Sequence, residues 1–133
     1  MEETEKPLEK PVEWVGSSRK DIQSLPPRVR KQFGLALFKA QVGDRSPKAK
    51  PLSGFGGASV IEVVENFNTD TYRAIYTVRF QEAVYVLHVF QKKSRQGIQT
   101  PAKDIELVRA RLKQAEVMYA EWMNSPKGNT DEP

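Results

Sequence analysis

The sequence predicts a single α+β domain, built on a mainly antiparallel four-stranded sheet with helices packed on one face. Two adjacent runs between Thr71 and Lys93 are rich in Tyr, Val, Ile, Phe and Thr, residues that suit a pleated surface. Two apolar stripes with helical spacing flank these runs, one within residues 27–41 and one within residues 101–123. The expected order of elements is β-α-α-β-β-β-α.

The central pair of strands is expected to turn at Gln81 and Glu82, a polar pair in the middle of the run. Tyr76 then lies opposite Leu87. Because side chains alternate along a strand, this turn sorts them onto two faces. One face is apolar or aromatic and should lie under the helices: Tyr72, Ala74, Tyr76, Val78, Phe80, Ala83, Tyr85, Leu87 and Val89. The other is mixed, cationic and expected to face solvent: Arg73, Ile75, Thr77, Arg79, Val84, Val86, His88, Phe90 and Lys92.

Three elements are expected before the central strands. Residues 11–15 read as a short strand that begins at a proline, which a strand start tolerates. Ser17 or Ser18 can cap a short helix through Leu25, and a second helix should cover residues 27–41, with proline in its first turn. The second helix has one apolar stripe, formed by Val29, Phe33, Ala36, Leu37 and Ala40.

The remaining elements are predicted from the same signals. Residues 43–58 read as loop, and their glycines lack the preceding strand and the spacing of a phosphate-binding loop. A strand at 59–65 and a polar turn at 66–70 should lead into the central pair. A last helix at 101–123 should be capped by Thr100. Its apolar stripe is Ile105, Val108, Leu112, Ala115, Tyr119 and Trp122.

Composition limits the classes of function. The chain has no cysteine and one histidine, which excludes disulfides, thiolate metal sites and multi-histidine metal sites. No apolar run approaches the roughly 20 residues of a membrane span, and the N-terminus lacks the features of a signal peptide. We therefore expect a cytoplasmic protein that needs neither a metal nor a small-molecule cofactor and does not bind a membrane.

Charge is unevenly distributed along the chain. The net charge is +4, but residues 1–10 carry −2 and residues 124–133 carry −1, so residues 11–123 carry +7. The two ends are interpreted as disordered tails on either side of one domain at 11–123. A compact basic domain is typical of a protein that binds a polyanion, and solubility alone would explain the charge equally well.

The cationic face of the central strands carries the candidate site. Its candidate catalytic residues are Arg73, His88, Lys92 and Lys93. Cations and an imidazole can hold a phosphate, stabilise the charge of a transition state and move a proton. Candidate RNA-binding residues are Lys48, Lys50, Phe90 and Arg79. A metal-free ribonuclease needs only these functions, since the RNA 2′-OH supplies the nucleophile, and Phe90 could stack on a base.

Each of these residues also has a structural interpretation. Arg73 could be the ion-pair partner of Glu62 or Glu65. His88 could be a partly buried structural residue, and Phe90 could belong to the core if another helix covers its face. Lysines at a strand end can also serve to protect a sheet edge.

The chain resembles the RelE/ParE superfamily of toxins, and most closely the HigB-like, phage-derived subset of type II toxin–antitoxin systems. The resemblance is carried by Y-R-A-I-Y-T-V-R-F-Q-E-A-V-Y-V-L-H-V-F-Q-K-K, preceded by A-K-P-L-S-G-F-G-G and followed by S-R-Q-G-I-Q-T-P. It covers about residues 11–123, and the predicted order of elements agrees with the RelE-like fold. It implies an endoribonuclease that cuts mRNA on the ribosome and is neutralised by a cognate antitoxin, expected to be a helix-turn-helix protein.

The resemblance also implies roles for single residues. Arg73 matches the strand arginine of RelE that contacts the scissile region, and Lys92 and Lys93 match its lysine–arginine pair. Lys93 keeps the charge of that arginine but not its bidentate geometry. The segment that matches two RelE lysines contains Glu62 here, and the RelE tyrosine that follows the basic pair has no counterpart before Tyr119. His88 or the loop lysines would then take over proton transfer.

Three functions remain open at this stage. One is a ribosome-dependent, metal-independent mRNA interferase whose partners are mRNA, the ribosome and an antitoxin. The second is a non-enzymatic inhibitor of DNA gyrase, as in ParE relatives with this fold. The third is a small nucleic-acid-binding adaptor without toxicity. A fold alone does not decide between them.

Overall fold

The structure is a computed structural model that describes residues 9–92 and 100–125. Lys93, one of the candidate catalytic residues, lies outside these ranges. The elements, in chain order, are β1 (Val12–Trp14), α1 (Ser18–Gln23), α2 (Pro27–Gln41), β2 (Ala49–Pro51), β3 (Val60–Phe67), β4 (Asp70–Thr77), β5 (Val84–Lys92) and α3 (Ala102–Met123). No helix in the described ranges is long and apolar enough to cross a membrane.

In the described part of the chain, five strands form one sheet in the order β1-β5-β4-β3-β2. β1 pairs with β5 in parallel, and every other pair is antiparallel. The predicted α+β class and mainly antiparallel sheet are confirmed. The predicted strand number is too low, because β2 lies within the glycine- and proline-rich stretch that was interpreted as loop. β2 has only three residues, too few for a period-two pattern to be detected.

One face of the sheet is covered by α1 and α2 and is almost wholly apolar. We call it the α2 face. The predicted stripe of α2 is confirmed, since all five of its side chains are buried in this cluster. They pack on sheet residues that include Ile61, Val63, Tyr72, Ala74, Tyr76, Val84, Val86 and Val89.

The opposite face of the sheet is covered by α3, and we call it the α3 face. Its apolar cluster joins Val108, Leu112 and Ala115 of α3 to sheet residues that include Ile75, Tyr85 and Leu87. The prediction that all helices lie on one face is therefore wrong. The face that was expected to contact solvent carries, besides Arg73 and His88, enough apolar side chains to bury the apolar stripe of α3.

A β-bulge in β5 explains why the predicted sorting of side chains fails. The expected pairing holds from Thr71 opposite Lys92 to Ile75 opposite His88, but Tyr76 then pairs with Val86 instead of Leu87. The extra residue turns Tyr85 and Leu87 toward α3, away from the face of Tyr76. Leu87, which has no partner in this register, accepts a hydrogen bond through its carbonyl from Arg111 Nη1 of α3, at 3.0 Å.

Other boundaries differ in detail from the predictions. The turn between β3 and β4 narrows to Asn68 and Thr69, both of which have positive φ, so both strands extend further into the predicted turn at 66–70 than expected. Pro101, not Thr100, is the N-cap of α3. Val78 was expected in the core, but it follows the end of β4 and is exposed.

Candidate functional site

The α3 face contains a buried ion pair between Arg73 of β4 and Glu62 of β3. Glu62 lies opposite Ile75, so its side chain shares a face with Arg73, two residues away along β4. Arg73 Nη1 donates to Glu62 Oε2 at 2.6 Å, and the side chains are 2% and 5% exposed. The structural interpretation of Arg73 as a partner of Glu62 is thus correct, but the pair is buried and not at the surface.

A third group, the hydroxyl of Thr100, also contacts the Glu62 carboxylate. The Thr100 hydroxyl, just before α3, donates to the same oxygen, Glu62 Oε2, at 2.5 Å. Buried charges persist only where a counter-charge and hydrogen bonds replace water. Both contacts use Oε2, while Oε1 is the second acceptor of this carboxylate.

The ion pair borders a pocket of about 340 Å³, which we call the Glu62 pocket. Its lining is contributed by Lys50, Pro51, Leu52, Ser53, Glu62, Thr100 and Ile105. Lys50 of β2 is the direct cross-strand partner of Glu62 and has an exposed side chain. The pocket therefore combines an accessible ammonium, a carboxylate and a hydroxyl, while Arg73 lies behind the carboxylate.

His88 and Phe90 lie next to this cluster on β5, and both are less accessible than predicted. Phe90 is the cross-strand partner of Arg73, and its ring stacks on the His88 imidazole with a centroid distance of 4.4 Å. His88 Nε2 is 2.8 Å from Asp104 Oδ1 of α3. Within the described residues, the buried His88 Nδ1 has no hydrogen-bond partner.

The surroundings of His88 act on its pKa in opposite directions. Burial lowers the pKa below its usual value and has the largest effect. The hydrogen bond and the charge of Asp104 oppose this effect, and the positive charge of Arg111 adds to it. The imidazole is buried and contacts Asp104 of α3, which agrees with the structural interpretation of His88.

The structure separates the other predicted site residues. Lys48 Nζ lies 2.7 Å from Glu65 Oε1, and Glu65 belongs to the α2 face because it is three residues from Glu62 along β3. Arg79 lies past the end of β4 and pairs with Glu116 of α3 at 3.0 Å. Lys92 is on the expected face, opposite Thr71, and is half-buried.

Sequence reasoning did not assign a functional role to Glu62 or Thr100. A signal for Glu62 was present, since it is the one acidic residue within the apolar run S-V-I-E-V-V. A carboxylate between buried neighbours needs a cation on the same face of an adjacent strand, and Arg73 is the residue that provides it. Thr100 could not be found in this way, because its contact joins residues 38 positions apart and depends on where α3 begins.

The sequence of this chain matches a family of phage-derived proteins. The sequence model of the family described as phage-derived protein Gp49-like (DUF891) matches residues 20–113. This confirms the resemblance to a phage-derived family, without specifying the HigB-like subset. The comparison with curated proteins found no match.

Two solved structures are similar to this chain. The RelBE2 toxin–antitoxin complex of Mycobacterium tuberculosis matches with a TM-score of 0.46 and 21% identity, covering 68% of this chain and 100% of that chain. A mutant of the E. coli toxin RelE in the free state matches with a TM-score of 0.49 and 18% identity, covering 80% of this chain and 98% of that chain.

Proposed function

Because this chain belongs to the Gp49-like family of phage-derived proteins, we propose that it is the toxin of a type II toxin–antitoxin system and acts as a metal-independent mRNA endoribonuclease. The observation that supports this proposal is the Glu62 pocket, which is lined by Lys50 and by the Glu62 carboxylate that pairs with Arg73. Cleavage of RNA through its own 2′-OH requires a proton acceptor, a proton donor and positive charge near the phosphate.

In the proposed reaction, Glu62 accepts the proton of the 2′-OH as the 2′-oxygen attacks the adjacent phosphorus. The bond from phosphorus to the 5′-oxygen breaks, and the leaving oxygen takes a proton from the Lys50 ammonium or from water. The products end in a 2′,3′-cyclic phosphate and a 5′-OH. Lys50 also neutralises charge on the phosphate, while Arg73 is a positioning residue that holds the Glu62 side chain in place through their ion pair.

The proposed roles of the other residues follow from their positions. Phe90 packs beside Arg73 and is half-buried, so its exposed edge can contact a base next to the pocket. His88 positions Phe90 and the start of α3 through its ring stacking and its contact with Asp104. Lys92 supplies charge near the RNA backbone, and Lys48 and Arg79 serve the structure through their ion pairs.

The proposed partners are mRNA on the ribosome and a cognate antitoxin with a helix-turn-helix domain. The net charge of +7 on residues 11–123 supports binding to the ribosome and to an acidic antitoxin segment. Affinity for such a segment should fall as ionic strength rises, because exposed charges are screened over about 10 Å at 0.1 M salt.

The proposal is tested with Glu62→Gln, which keeps the shape of the side chain and its hydrogen bond from Thr100 but removes the base. Because the substitution removes the negative charge that pairs with buried Arg73, circular dichroism must first show that the variant folds. Induced expression, with reporter mRNA mapped by primer extension, should then show cleavage slower by about a hundred- to ten-thousand-fold. The matched control is Glu65→Gln, three residues along β3 on the opposite face. It should cut mRNA at the wild-type rate.

Three outcomes would contradict the proposal. Wild-type cleavage by Glu62→Gln, with folding checked by circular dichroism, would exclude Glu62 as the base. Cleavage that stops when a chelator is added would exclude the metal-independent reaction. Growth arrest with intact mRNA and altered DNA supercoiling would instead favour the non-enzymatic gyrase inhibitor.

A further inference from the structure

A second pocket lies on the α2 face, where α2 ends above β3 and β4. Its volume is about 430 Å³, and we call it the Tyr76 pocket. Ala40, Ile61 and Tyr76 contribute buried apolar surface to it. Val78 adds a large apolar side chain that is 36% exposed, so the apolar lining continues outward to solvent.

Cations surround the mouth of this pocket. Lys10 and Arg45 both line it, together with one acid, Asp44. Asp44 is already engaged, since its Oδ2 lies 3.9 Å from Lys39 Nζ and its Oδ1 accepts the backbone N–H of Arg45 at 2.8 Å. The local charge is therefore positive, and Arg45 has an exposed side chain.

The backbone fixes one of these cations beside the end of α2. The Lys10 N–H donates to the Gln41 carbonyl at 3.0 Å, and Gln41 Nε2 donates to the Lys10 carbonyl at 2.6 Å. These paired contacts hold the backbone of Lys10 at the pocket, so its side chain starts from a fixed position beside the end of α2.

Tyr76 adds a neutral hydrogen-bond donor to the lining. Burial raises the pKa of its phenol to about 12, and the positive charge of Arg45 acts in the opposite direction. The phenol therefore stays protonated at neutral pH, and the guanidinium is close enough to influence it. A protonated phenol and a guanidinium next to apolar surface form a suitable site for a carboxylate attached to an apolar group.

We propose that the Tyr76 pocket binds an acidic peptide segment of a protein partner, in which a carboxylate side chain adjoins an aliphatic one. The aliphatic group would pack on Ile61 and Val78, and the carboxylate would face Arg45, Lys10 and the Tyr76 hydroxyl. Sites for small molecules usually bury 70–90% of the ligand, whereas the lining of this pocket extends to the exposed residues Val78 and Arg45 and suits side chains of a longer segment. The proposal does not depend on RNA cleavage.

The test uses the full chain and the peptide acetyl-Leu-Asp-Leu-amide, followed by ¹H–¹⁵N chemical-shift mapping. Shifts should concentrate at the backbone amides of Gly43, Ala58, Tyr76 and Val78. Arg45→Gln should weaken binding by about 1.5- to fivefold, the range expected when an exposed charge pair is lost. Arg19→Gln, an exposed arginine on α1 that does not line the pocket, is the matched control and should bind as the wild type does.

Two further ligands distinguish the possible occupants. The peptide acetyl-Leu-Asn-Leu-amide should bind more weakly than the aspartyl peptide, and equal affinity would overturn the role of the carboxylate. If 4-phenylbutyrate binds more tightly than the peptide, the site is one for small carboxylates and the peptide proposal fails. If the wild type cuts mRNA but does not bind the peptide, this inference is refuted while the proposed endoribonuclease function stands.

Discussion

The two faces of the sheet are closed in different ways. On the α2 face, the stripe of α2 meets a layer of aliphatic and aromatic side chains, and polar groups remain at the margins. On the α3 face, a similar apolar cluster covers only part of the sheet, and Arg73, Glu62 and His88 are buried beside it. Burying a charge costs free energy that apolar packing does not cost. The α3 face, which carries the candidate site, is therefore expected to contribute less to stability than a wholly apolar face would.

This contrast changes how variants on the α3 face should be interpreted. Truncating an exposed catalytic arginine would leave the fold intact, but Arg73 is 2% exposed and neutralises Glu62. A loss of activity in Arg73→Ala could then reflect unfolding. The faces are best compared through changes in the free energy of unfolding, and activity should be measured on variants that remain folded.

The largest effect is expected for Arg73→Ala, which should lower the free energy of unfolding by about 3–5 kcal/mol because Glu62 is left buried without its counter-charge. The double variant Arg73→Met with Glu62→Leu should recover most of this loss, since it replaces the pair by apolar groups of similar size. Urea unfolding of the wild type, of Arg73→Met, of Glu62→Leu and of the double variant measures the coupling between the two residues.

The matched control for this cycle is the Lys48–Glu65 pair on the α2 face. Lys48 is 51% exposed, so Lys48→Met should cost at most about 1 kcal/mol. If the effects of the two Arg73–Glu62 substitutions simply add, the ion pair does not carry the stability of this end of the sheet.

A somewhat smaller effect is expected on the α2 face for Leu37→Ala, at about 2–5 kcal/mol from lost burial and the cavity left behind. Leu35→Ala on the same helix is the control. Leu35 is 50% exposed, and the substitution should change the free energy of unfolding by no more than about 0.5 kcal/mol. Thermal and urea unfolding measure both. Equal costs at the two positions would mean that α2 does not pack as described.

The α2 face could be predicted from the sequence because the pattern that predicts it lies within one short segment of the chain. The stripe of α2 repeats at helical spacing within 15 residues, and its bounds and all of its core residues are as predicted. The sorting of the central strands was correct only up to Ile75. Beyond it, the bulge at Leu87 reverses the faces predicted for residues 84–87 of β5, while Tyr76 of β4 keeps its predicted face. Nothing in the alternation of β5 marks the extra residue.

The candidate site was partly predictable because some of its residues lie in the part of the strand register that was predicted correctly. Arg73, Phe90 and His88 lie in the part of the register that holds, so the sequence placed them together on one face. It could not show that α3 would cover them, since that depends on contacts such as Asp104 with His88 between distant parts of the chain. This cover buries His88, while the neighbouring pocket is lined by Glu62.

The smallest effect concerns His88, since a change of protonation weakens its packing but removes no atoms. Burial holds its pKa in the folded protein below the unfolded value of about 6.5, so the unfolded chain takes up the proton first as pH falls. The contribution of His88 to stability should be fully present above about pH 7 and should decline through the window below pH 6.5, down to the lower folded pKa. The groups that face the imidazole are Asp104 and Arg111 on α3 and Asp21 on α1; the two aspartates oppose the lowering of the pKa, and Arg111 adds to it. Urea unfolding of the wild type and of His88→Gln between pH 5 and 8 isolates this contribution, because the difference between the two curves removes the titration of other groups. If the wild type instead gains stability relative to His88→Gln as pH falls, the charge of Asp104 outweighs burial, and the imidazole on the α3 face is a cation held by an ion pair like that of Arg73.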